Sequence, residues 1–490
     1  MACTTILVGK NASYNGATLI ARNEDSPSGI FCAKRFIVVE PDEQPRKYKS
    51  VISKQEIELP ENPMRCTATP NAEKNEGIWA AHGVNAANVG MTATETITAN
   101  ERVLGADPLL KKGGIGEEDL NVIVLPYVKT AREGARRLGE LLEKYGTYEM
   151  NGIAFSDENE IWWLESIGGH HWMARRVPDN SYVVMPNQLG IDSFDFDDAY
   201  SKEQDFMCSK SSGNGNWDLK EFVEQNHLDL SQPGKPFNPR DAFGTHEDSD
   251  HVYNTPRAWF IERFLNPKTY KWDGEDADFK PDSDNIPWCL VPERKITIED
   301  IKYLLSSHYN GTEFDPYASY GKKENRGAFR SIGINRNDSL AVIEIRGGAP
   351  EDCKAVQWMA FASNAFNALA PFYTNITKVP RYLSFVPKTP STESFYWASR
   401  LIAALSDAGY SKCLSHIERY QLAVGSKSHE ILNKYDKIIS GLKGKEAEAE
   451  CEKANDEVAA MLKEETGKTL GKVLYETSCL MKNAYARSDA

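Results

Sequence analysis

The feature that most constrains the fold of this chain is a hairpin pattern in its first 25 residues. Two runs of β-branched and apolar residues, 4–8 and 17–21, flank the turn-rich stretch 11–16. This order of strand, turn and strand predicts a β-hairpin. With the turn centred near residues 13–14, paired residues have numbers that sum to about 27, with an error of about two residues. Cys3 is therefore expected beside residues 22–25, which read Arg-Asn-Glu-Asp.

The composition excludes several classes of protein. The 490 residues are 41% hydrophobic, which is enough for a substantial core. With 57 basic and 71 acidic side chains, the net charge is −14, and an acidic surface repels phosphate backbones, so no nucleic-acid partner is expected. Apolar runs such as 121–127 are far shorter than the ~20 residues of a membrane helix. The first residues lack the layout of a signal peptide, so we expect a cytoplasmic protein that does not bind membranes.

The pattern of strands and helices predicts a mixed α+β body. Strands are predicted at 79–84 and 90–94, and apolar residues at helical spacing predict a helix over 128–145. Four closely spaced strand patterns then predict an antiparallel meander, which ends just before Asn187. Its strands are 152–155, 161–165, 172–177 and 182–185.

The second half of the chain divides near residue 390. A helix is predicted at 255–264, a further hairpin at 328–334 and 340–345, and a strand at 358–362. From about residue 392 the strand patterns end and helix-forming residues dominate, with helices predicted over 445–487. We therefore expect a body over residues 1–390 and a helical C-terminal extension over 391–490, packed on the body or on another subunit.

The hairpin places together three residues with catalytic chemistry. A catalytic cysteine needs a base and a positive environment, and a cysteine at a mature N-terminus carries its own base. Its α-amine has a pKa of about 7.7–8.0, Arg22 would favour the thiolate, and Asp25 would orient the amine. From the residues alone, a second interpretation remains open, in which Cys3 is a buried strand residue and the segment 22–25 is a surface turn.

Other candidate sites are weaker. The nine cysteines include no pair at CxxC spacing, so neither a zinc ribbon nor a disulfide framework is expected. His170 and His171 are adjacent on a strand and point to opposite faces, so they cannot easily bind one metal ion. The acidic segment 246–251 is typical of a surface loop, and GGIG at 113–116 lacks the rest of a phosphate-binding motif. We expect no metal and no organic cofactor.

Several motifs together resemble one family. CTTILVG at 3–9 and ARNED at 21–25 are followed by GVNAANVGMTATETI at 83–97, MPNQ at 185–188, YNTPRAW at 253–259 and SHYNGTEFDPY at 307–317. This order is similar to that of the bacterial PepD-type cysteine dipeptidases. These are relatives of secernins and, more distantly, of bile-salt hydrolases and penicillin V acylases, and all resemble N-terminal-nucleophile (Ntn) hydrolases.

The resemblance implies a fold and a mechanism. It implies a four-layer αββα Ntn-hydrolase sandwich that hydrolyses dipeptides through a thioester on Cys3. Arg22 and Asp25 would flank the thiol and the amine, Asn187 would donate to the oxyanion, and the loop at Asn85 would supply a backbone N–H.

The resemblance also implies partners for the site. Arg257 would be a second arginine near the cysteine, and Glu24 or Glu165 would bind the ammonium of a dipeptide substrate. A homo-oligomer is expected.

Two alternatives remain open at this point. One is a related amidase that acts on N-acyl compounds such as bile salts or penicillin V and needs an apolar slot instead of charged partners. The other is a non-enzymatic, secernin-like interaction protein. This sequence departs from the pattern of the family at one position, because Ala2 lies between the initiator methionine and Cys3. Removal of residues 1–2 is therefore expected before the amine of Cys3 can act as a base.

Overall fold

A computed structural model describes residues 2–73, 75–210 and 217–482. The predicted loss of residue 1 and the predicted helical residues 483–487 lie outside the described residues. The strands are β1 Ala2–Val8, β2 Thr18–Asp25, β3 Ile37–Val39, β4 Lys47–Lys49, β5 Glu56–Glu58, β6 Cys66–Ala68, β7 His82–Val84, β8 Gly90–Thr96, β9 Asn151–Ser156, β10 Ile161–Ile167, β11 His171–Arg176, β12 Tyr182–Met185, β13 Phe206–Cys208, β14 Cys289–Leu290, β15 Asn337–Ile345, β16 Ala355–Phe361 and β17 Ala370–Tyr373.

The helices lie between these strands and after the last of them. They are α1 Glu101–Ala106, α2 Leu120–Ile123, α3 Ala131–Tyr145, α4 Phe196–Ser201, α5 Leu219–Gln225, α6 Pro239–Phe243, α7 Asp250–Tyr253, α8 Thr255–Leu265, α9 Ile298–Leu305, α10 Arg381–Ser384, α11 Phe395–Ala408, α12 Tyr410–Ile439 and α13 Lys445–Ser478. Over the described ranges, none of these helices has both the length and the apolar character needed to cross a membrane.

Two antiparallel sheets form the centre of the molecule. The larger has the strand order β14-β12-β1-β2-β15-β16-β17, and the smaller has the order β13-β11-β10-β9-β8-β7. Alternate residues of the two sheets, such as Leu7, Ile20 and Trp163, form one apolar cluster between them. Each sheet therefore buries one face against the other, as the period of two in a strand requires.

Helices cover the outer faces of both sheets. Helix α3 packs on the smaller sheet through Ala135, Leu138 and Leu142, which lie on one side of the helix. It begins at the N-cap Thr130, whose hydroxyl accepts from the backbone of Glu133, and ends at Gly146, which has a φ of 66°. The predicted helix over 128–145 is confirmed with a start three residues later.

The C-terminal helices share the core of the body. Helices α8, α9, α11, α12 and α13 cover the outer face of the larger sheet, and one apolar cluster runs from Ile6 in β1 to Leu462 in α13. The helical character predicted for the C-terminal segment is confirmed by α11 to α13. The division near residue 390 does not separate two hydrophobic cores.

The N-terminal hairpin has the predicted register. Strands β1 and β2 pair antiparallel, with Cys3 opposite Glu24 and Thr5 opposite Arg22. The numbers of each pair sum to 27, as turn placement predicts. The hairpin lies in the middle of the larger sheet, because β12 pairs with the other side of β1 and β15 with the other side of β2.

Two strand predictions are wrong in their pairing. The meander holds for β9, β10 and β11, but β12 leaves that sheet and pairs with β1 in the other. Both faces of β12 are buried, with Val183 between the sheets and Val184 under the helices, so its place in a central position is favoured over a sheet edge. Residues 328–334 form no strand, and β15 pairs with β16 and β2 instead.

Candidate active site

The thiol of Cys3 lies against a buried guanidinium. Nη2 of Arg22 donates to Sγ of Cys3 at 2.6 Å, and Nη1 of the same arginine donates to the carbonyl of Ala81 at 3.4 Å. Both side chains are buried, with 0% and 1% of their surface exposed. A positive charge in a desolvated site stabilises an adjacent thiolate strongly, because little solvent screens it.

The hairpin register explains this contact. Residues that face each other across an antiparallel pair point to the same side of the sheet, so Cys3, Thr5, Arg22 and Glu24 share one face. This is the face that Leu7 continues into the core between the sheets. The thiol therefore points toward the space between the two sheets.

Asp25 lies on the other face of the same hairpin. It pairs with Ala2, one position out of phase with Cys3, so its side chain points away from the thiol. Its two carboxylate oxygens accept from Nη2 of Arg330 and, at 2.9 Å, from Nδ2 of Asn337. The structure thus places Asp25 opposite Ala2, with its carboxylate on the face away from the sulfur of Cys3.

Asn187 contacts the backbone of Cys3 directly. Its Oδ1 accepts from the N–H of Cys3 at 3.2 Å, and its Nδ2 donates to the carbonyl of Thr96 at 3.0 Å. The contact depends on the position of β12 beside β1, because Asn187 follows that strand by two residues. The predicted meeting of Asn187 and Cys3 is therefore present, although the predicted meander would not have produced it.

Arg257 contacts Cys3, Thr4 and Asn187 at the same strand end. Its Nη1 donates to the carbonyl of Cys3 and, at 2.8 Å, to Oγ1 of Thr4, and its Nη2 donates to Oδ1 of Asn187 at 2.9 Å. Asn254 completes this group, since its Oδ1 accepts from Nη2 of Arg257 at 2.7 Å and from the N–H of Asn187 at 3.1 Å. Arg257 thus holds Cys3 and Asn187 in register and contacts the backbone of the cysteine.

Asn85 is engaged in a turn of its own. Its Nδ2 donates to the carbonyls of Leu125 and Val128 at 2.8 and 2.7 Å, and its backbone N–H donates to the carbonyl of Val89 at 3.0 Å. The N–H of Asn85 itself therefore already has a partner in the turn, whereas the prediction was that the loop at Asn85 supplies a backbone N–H.

The position of Asn85 along the sheet gives the same result. It follows β7, whose end pairs with Gly90 at the start of β8, whereas Asn187 contacts Thr96 at the other end of β8. Six residues of strand at about 3.3 Å each separate the two ends by about 20 Å. The resemblance placed Asn85 at the site, and the structure places it at the opposite end of the sheet.

Glu24 shares the face of the thiol but already has an ion-pair partner. Its Oε1 accepts from Nζ of Lys34, and its Oε2 accepts from Oγ of Ser339 at 3.2 Å. The glutamate and the lysine are 1% and 0% exposed. Removing one partner of such a buried pair is costly. Both oxygens of Glu24 thus already accept from groups of the protein, which does not favour its predicted role as a ligand of the substrate ammonium.

His82 borders this ion pair as a neutral side chain. Burial, followed by the charges of Lys34 and Arg22, lowers the pKa of His82 to about 3. Its ring contacts the amide of Gln357 at 2.8 Å and the hydroxyl of Ser339 at 3.4 Å. Its ring is therefore uncharged at neutral pH, and the positive charge in contact with the thiol of Cys3 is that of Arg22.

Glu165 holds the loop that follows Asn187. Its Oε1 accepts from the backbone N–H groups of Gly190 at 2.8 Å and Ile191 at 3.3 Å, and from Nε1 of Trp163 at 2.9 Å. Burial raises the pKa of Glu165 to about 7 despite these three donors. Its predicted role as a substrate ligand is not supported, since the carboxyl group is turned into the protein beneath the loop.

The candidate metal ligands form no metal site. His170 and His171 both contact the carboxylate of Asp107, through Nδ1 at 3.1 and 2.7 Å, and their donors lower the pKa of Asp107. His251 lies in the exposed acidic segment and contacts Asp284 at 2.9 Å. No group of three or more possible ligands in the described ranges is arranged to hold a metal ion.

The sequence reasoning missed several residues of the site. Asn254 lies within the YNTPRAW motif, directly before the threonine that begins α8. Its polar side chain in that motif is a signal that could have identified it as a residue of the site. Arg330 and Lys34 lie in irregular segments, and no pattern in the sequence connects them to Asp25 and Glu24. Only the folded sheet brings these distant residues to the hairpin.

Comparison with known proteins gives the family. The model of peptidase family C69 matches residues 2–423. The chain is 54% identical over the whole of both chains to a dipeptidase of Bifidobacterium longum and 49% identical, again over the whole of both, to the probable dipeptidase A of Streptococcus pyogenes serotype M3. It is 42% identical to dipeptidase A of Lactobacillus helveticus, over 99% of this chain and 98% of that one. A match over most of the chain, with relatives this similar over their full length, shows that the protein belongs to peptidase family C69.

Proposed function

We propose that this protein is a cysteine dipeptidase with an Ntn-hydrolase fold, in which Cys3 becomes the N-terminal nucleophile. The observation that carries the proposal is the 2.6 Å contact between the thiol of Cys3 and Arg22, at a strand end that Asn187 and Arg257 also hold. Two sheets packed face to face between helices support the fold assignment. The names of the relatives favour dipeptides over N-acyl compounds as substrates.

The first step is cleavage of the bond between Ala2 and Cys3. With this bond intact, the nitrogen of Cys3 is an amide and cannot act as a base, and the side chain of Cys3 is 0% exposed. Cleavage frees an α-amine at the position that Asn187 now contacts. Asp25 is the strand partner of Ala2 and so lies beside the new N-terminus, and in this mechanism its carboxylate, which also accepts from Arg330 and Asn337, orients the ammonium.

The free amine and the thiol then carry out the hydrolysis. The amine takes the proton of the thiol, and Arg22 stabilises the resulting thiolate, which attacks the carbonyl carbon of the dipeptide. An N–H of the Asn187 amide donates to the oxyanion. The ammonium returns its proton to the leaving amino group, so the first amino acid departs and a thioester remains. Water hydrolyses the thioester and releases the second amino acid.

Intact mass and activity on the same sample test this mechanism. We expect the mass of the active protein to correspond to a chain that begins at Cys3, and activity on dipeptides that exceeds activity on penicillin V and glycine-conjugated bile salts. Cys479→Ser, which changes an exposed thiol, serves as a matched control and should be processed and active like the wild type. A fully active protein that retains Ala2 would contradict the amine mechanism.

A further inference from the structure

A cavity lies on the helical side of the larger sheet, between α9 and α12. Its volume is about 290 Å³, near the lower end of the range for small-molecule sites, which is roughly 300–1,000 Å³. Aromatic and aliphatic side chains form most of its wall, including Trp358, Phe366, Leu369, Tyr410 and Ile417. A space of this size fits a molecule with one apolar group of the size of an amino-acid side chain.

One partly buried lysine, Lys302, lines this apolar cavity. Nζ of Lys302 donates to Oγ of Ser306 at 2.7 Å and to the carbonyl of Asn364 at 2.8 Å. Both partners are neutral, and no ion pair within the described ranges includes this lysine. A lysine ammonium has three N–H donors, so one more acceptor completes its set. Burial lowers the pKa of Lys302 to about 7, which reflects the cost of the charge without an anion beside it.

The cavity is separate from the site at Cys3. Helix α9 packs on the outer face of the larger sheet through Ile301 and Leu304, in the same cluster as Ile6. The thiol of Cys3 lies on the opposite face of that sheet, toward the smaller sheet. A ligand of the cavity therefore occupies a second site, with the sheet between it and the proposed nucleophile.

The charges around the cavity select the kind of anion. Lys302 is a single point charge, whereas Glu299 and Glu418 also line the space, so a phosphate with two negative charges would meet repulsion. Nε2 of His429 already contacts Glu299 at 2.7 Å. A monocarboxylate matches one ammonium, and a zwitterion could place its own ammonium toward the exposed Glu418.

We propose that this cavity binds a small monocarboxylate with an apolar body, whose carboxylate pairs with Lys302 and whose body contacts the aromatic wall. Free amino acids with apolar side chains have this chemistry, as do simple aryl-alkyl acids. The proposal does not depend on the mechanism at Cys3.

Three probes and two variants test the site by calorimetry or by ligand-observed NMR on the full chain. The probes are 3-phenylpropionate, phenylalanine and phenylalaninamide, which differ in the carboxylate and the ammonium. We expect the first two to bind and the amide, which lacks the carboxylate, to bind at least tenfold more weakly. Lys302→Met should weaken the binding of 3-phenylpropionate at least tenfold, whereas Lys412→Met, at an exposed lysine of α12, should leave it unchanged.

A second variant blocks the cavity without removing a charge. Gly425 in α12 lines the cavity, and a Cβ added there meets no atom within 4 Å. Gly425→Leu should therefore fold well, because leucine also has the higher helix propensity, and should abolish binding while the dipeptidase activity is retained. The proposal is overturned if the wild type shows no saturable binding of 3-phenylpropionate, or if Lys302→Met and Gly425→Leu both bind it like the wild type.

Discussion

Replacing Glu165 by glutamine should remove a loss of folding stability that increases as the pH rises. Oε1 of Glu165 accepts from Trp163, Gly190 and Ile191, and a glutamine carbonyl can accept the same three bonds. Oε2 is buried and has no hydrogen bond within the described part of the chain. No hydrogen bond to this oxygen stabilises the ionised form. Burial therefore raises the pKa of Glu165 from the ordinary 4.5 to about 7.

The size and sign of the effect follow from the pKa. Between pH 4.5 and 7 the folded protein binds more protons at Glu165 than the unfolded chain does, so stability falls as the pH rises through this window. The full loss is about 3 kcal/mol, at about 1.4 kcal/mol per pH unit, and is complete somewhat above pH 7. Glu165→Gln lacks this loss, although its buried amide NH₂ costs a fixed amount of about 1–3 kcal/mol at every pH.

Urea denaturation of the wild type and Glu165→Gln from pH 5 to pH 9 measures this difference. We expect the stability of the variant to rise by about 2.5 kcal/mol relative to that of the wild type between pH 5 and pH 9, whichever of the two is more stable at pH 5. Glu224→Gln, at an exposed glutamate, is the matched control and should show no such gain. A difference between Glu165→Gln and wild type that stays constant within about 1 kcal/mol would refute the assignment of a buried, unsatisfied carboxyl group.

Three further predictions concern the chemistry at Cys3. Asn187→Ala should lower kcat by roughly 10²–10³ with a much smaller change in KM, the usual effect of losing one oxyanion donor, and steady-state kinetics would show a raised KM instead if Asn187 only binds substrate. Cys3→Ser should keep the fold and a small residual activity, because a hydroxyl is a much poorer match for the amine, and Cys3→Ala should have none; wild-type turnover by a folded Cys3→Ala protein would reject the nucleophile. Activity should survive EDTA and be lost to iodoacetamide, and loss on chelation that zinc or manganese restores would overturn the thiol mechanism.

Local patterns in the sequence predicted many of the longer elements, but not the partners of all strands. The hairpin of β1 and β2 was predicted with a register that the structure matches, within the stated error of about two residues, because its turn lies within the same 25 residues. The strand β12 was predicted with its exact bounds, yet its sheet was not. A strand with both faces apolar fits the centre of either sheet, and the choice depends on packing between distant segments.

The same distinction explains which parts of the site were predictable. Cys3 and Arg22 are brought together by the hairpin alone, and their contact follows from the sequence. Arg330 reaches Asp25 across 305 positions of chain, from a segment that was predicted to be a strand and is irregular. Asn85 was assigned by resemblance only, and no local pattern tested where its turn would lie.

The arrangement around Cys3 gives a reason for a nucleophile at the end of a strand. The side chain of a strand residue points to one face, but its backbone nitrogen lies in the plane of the sheet and is accessible from both. Arg22 contacts the thiol from the face between the sheets, whereas Arg257 contacts the carbonyl of Cys3 from the helical face, where the carboxylate of Asp25 also lies. A base in the plane of the sheet can thus be oriented by one set of groups while another set stabilises the thiolate. A side-chain base on either face would have to share that face with one of these sets, so this geometry favours the proposed α-amine of Cys3 over a side-chain base.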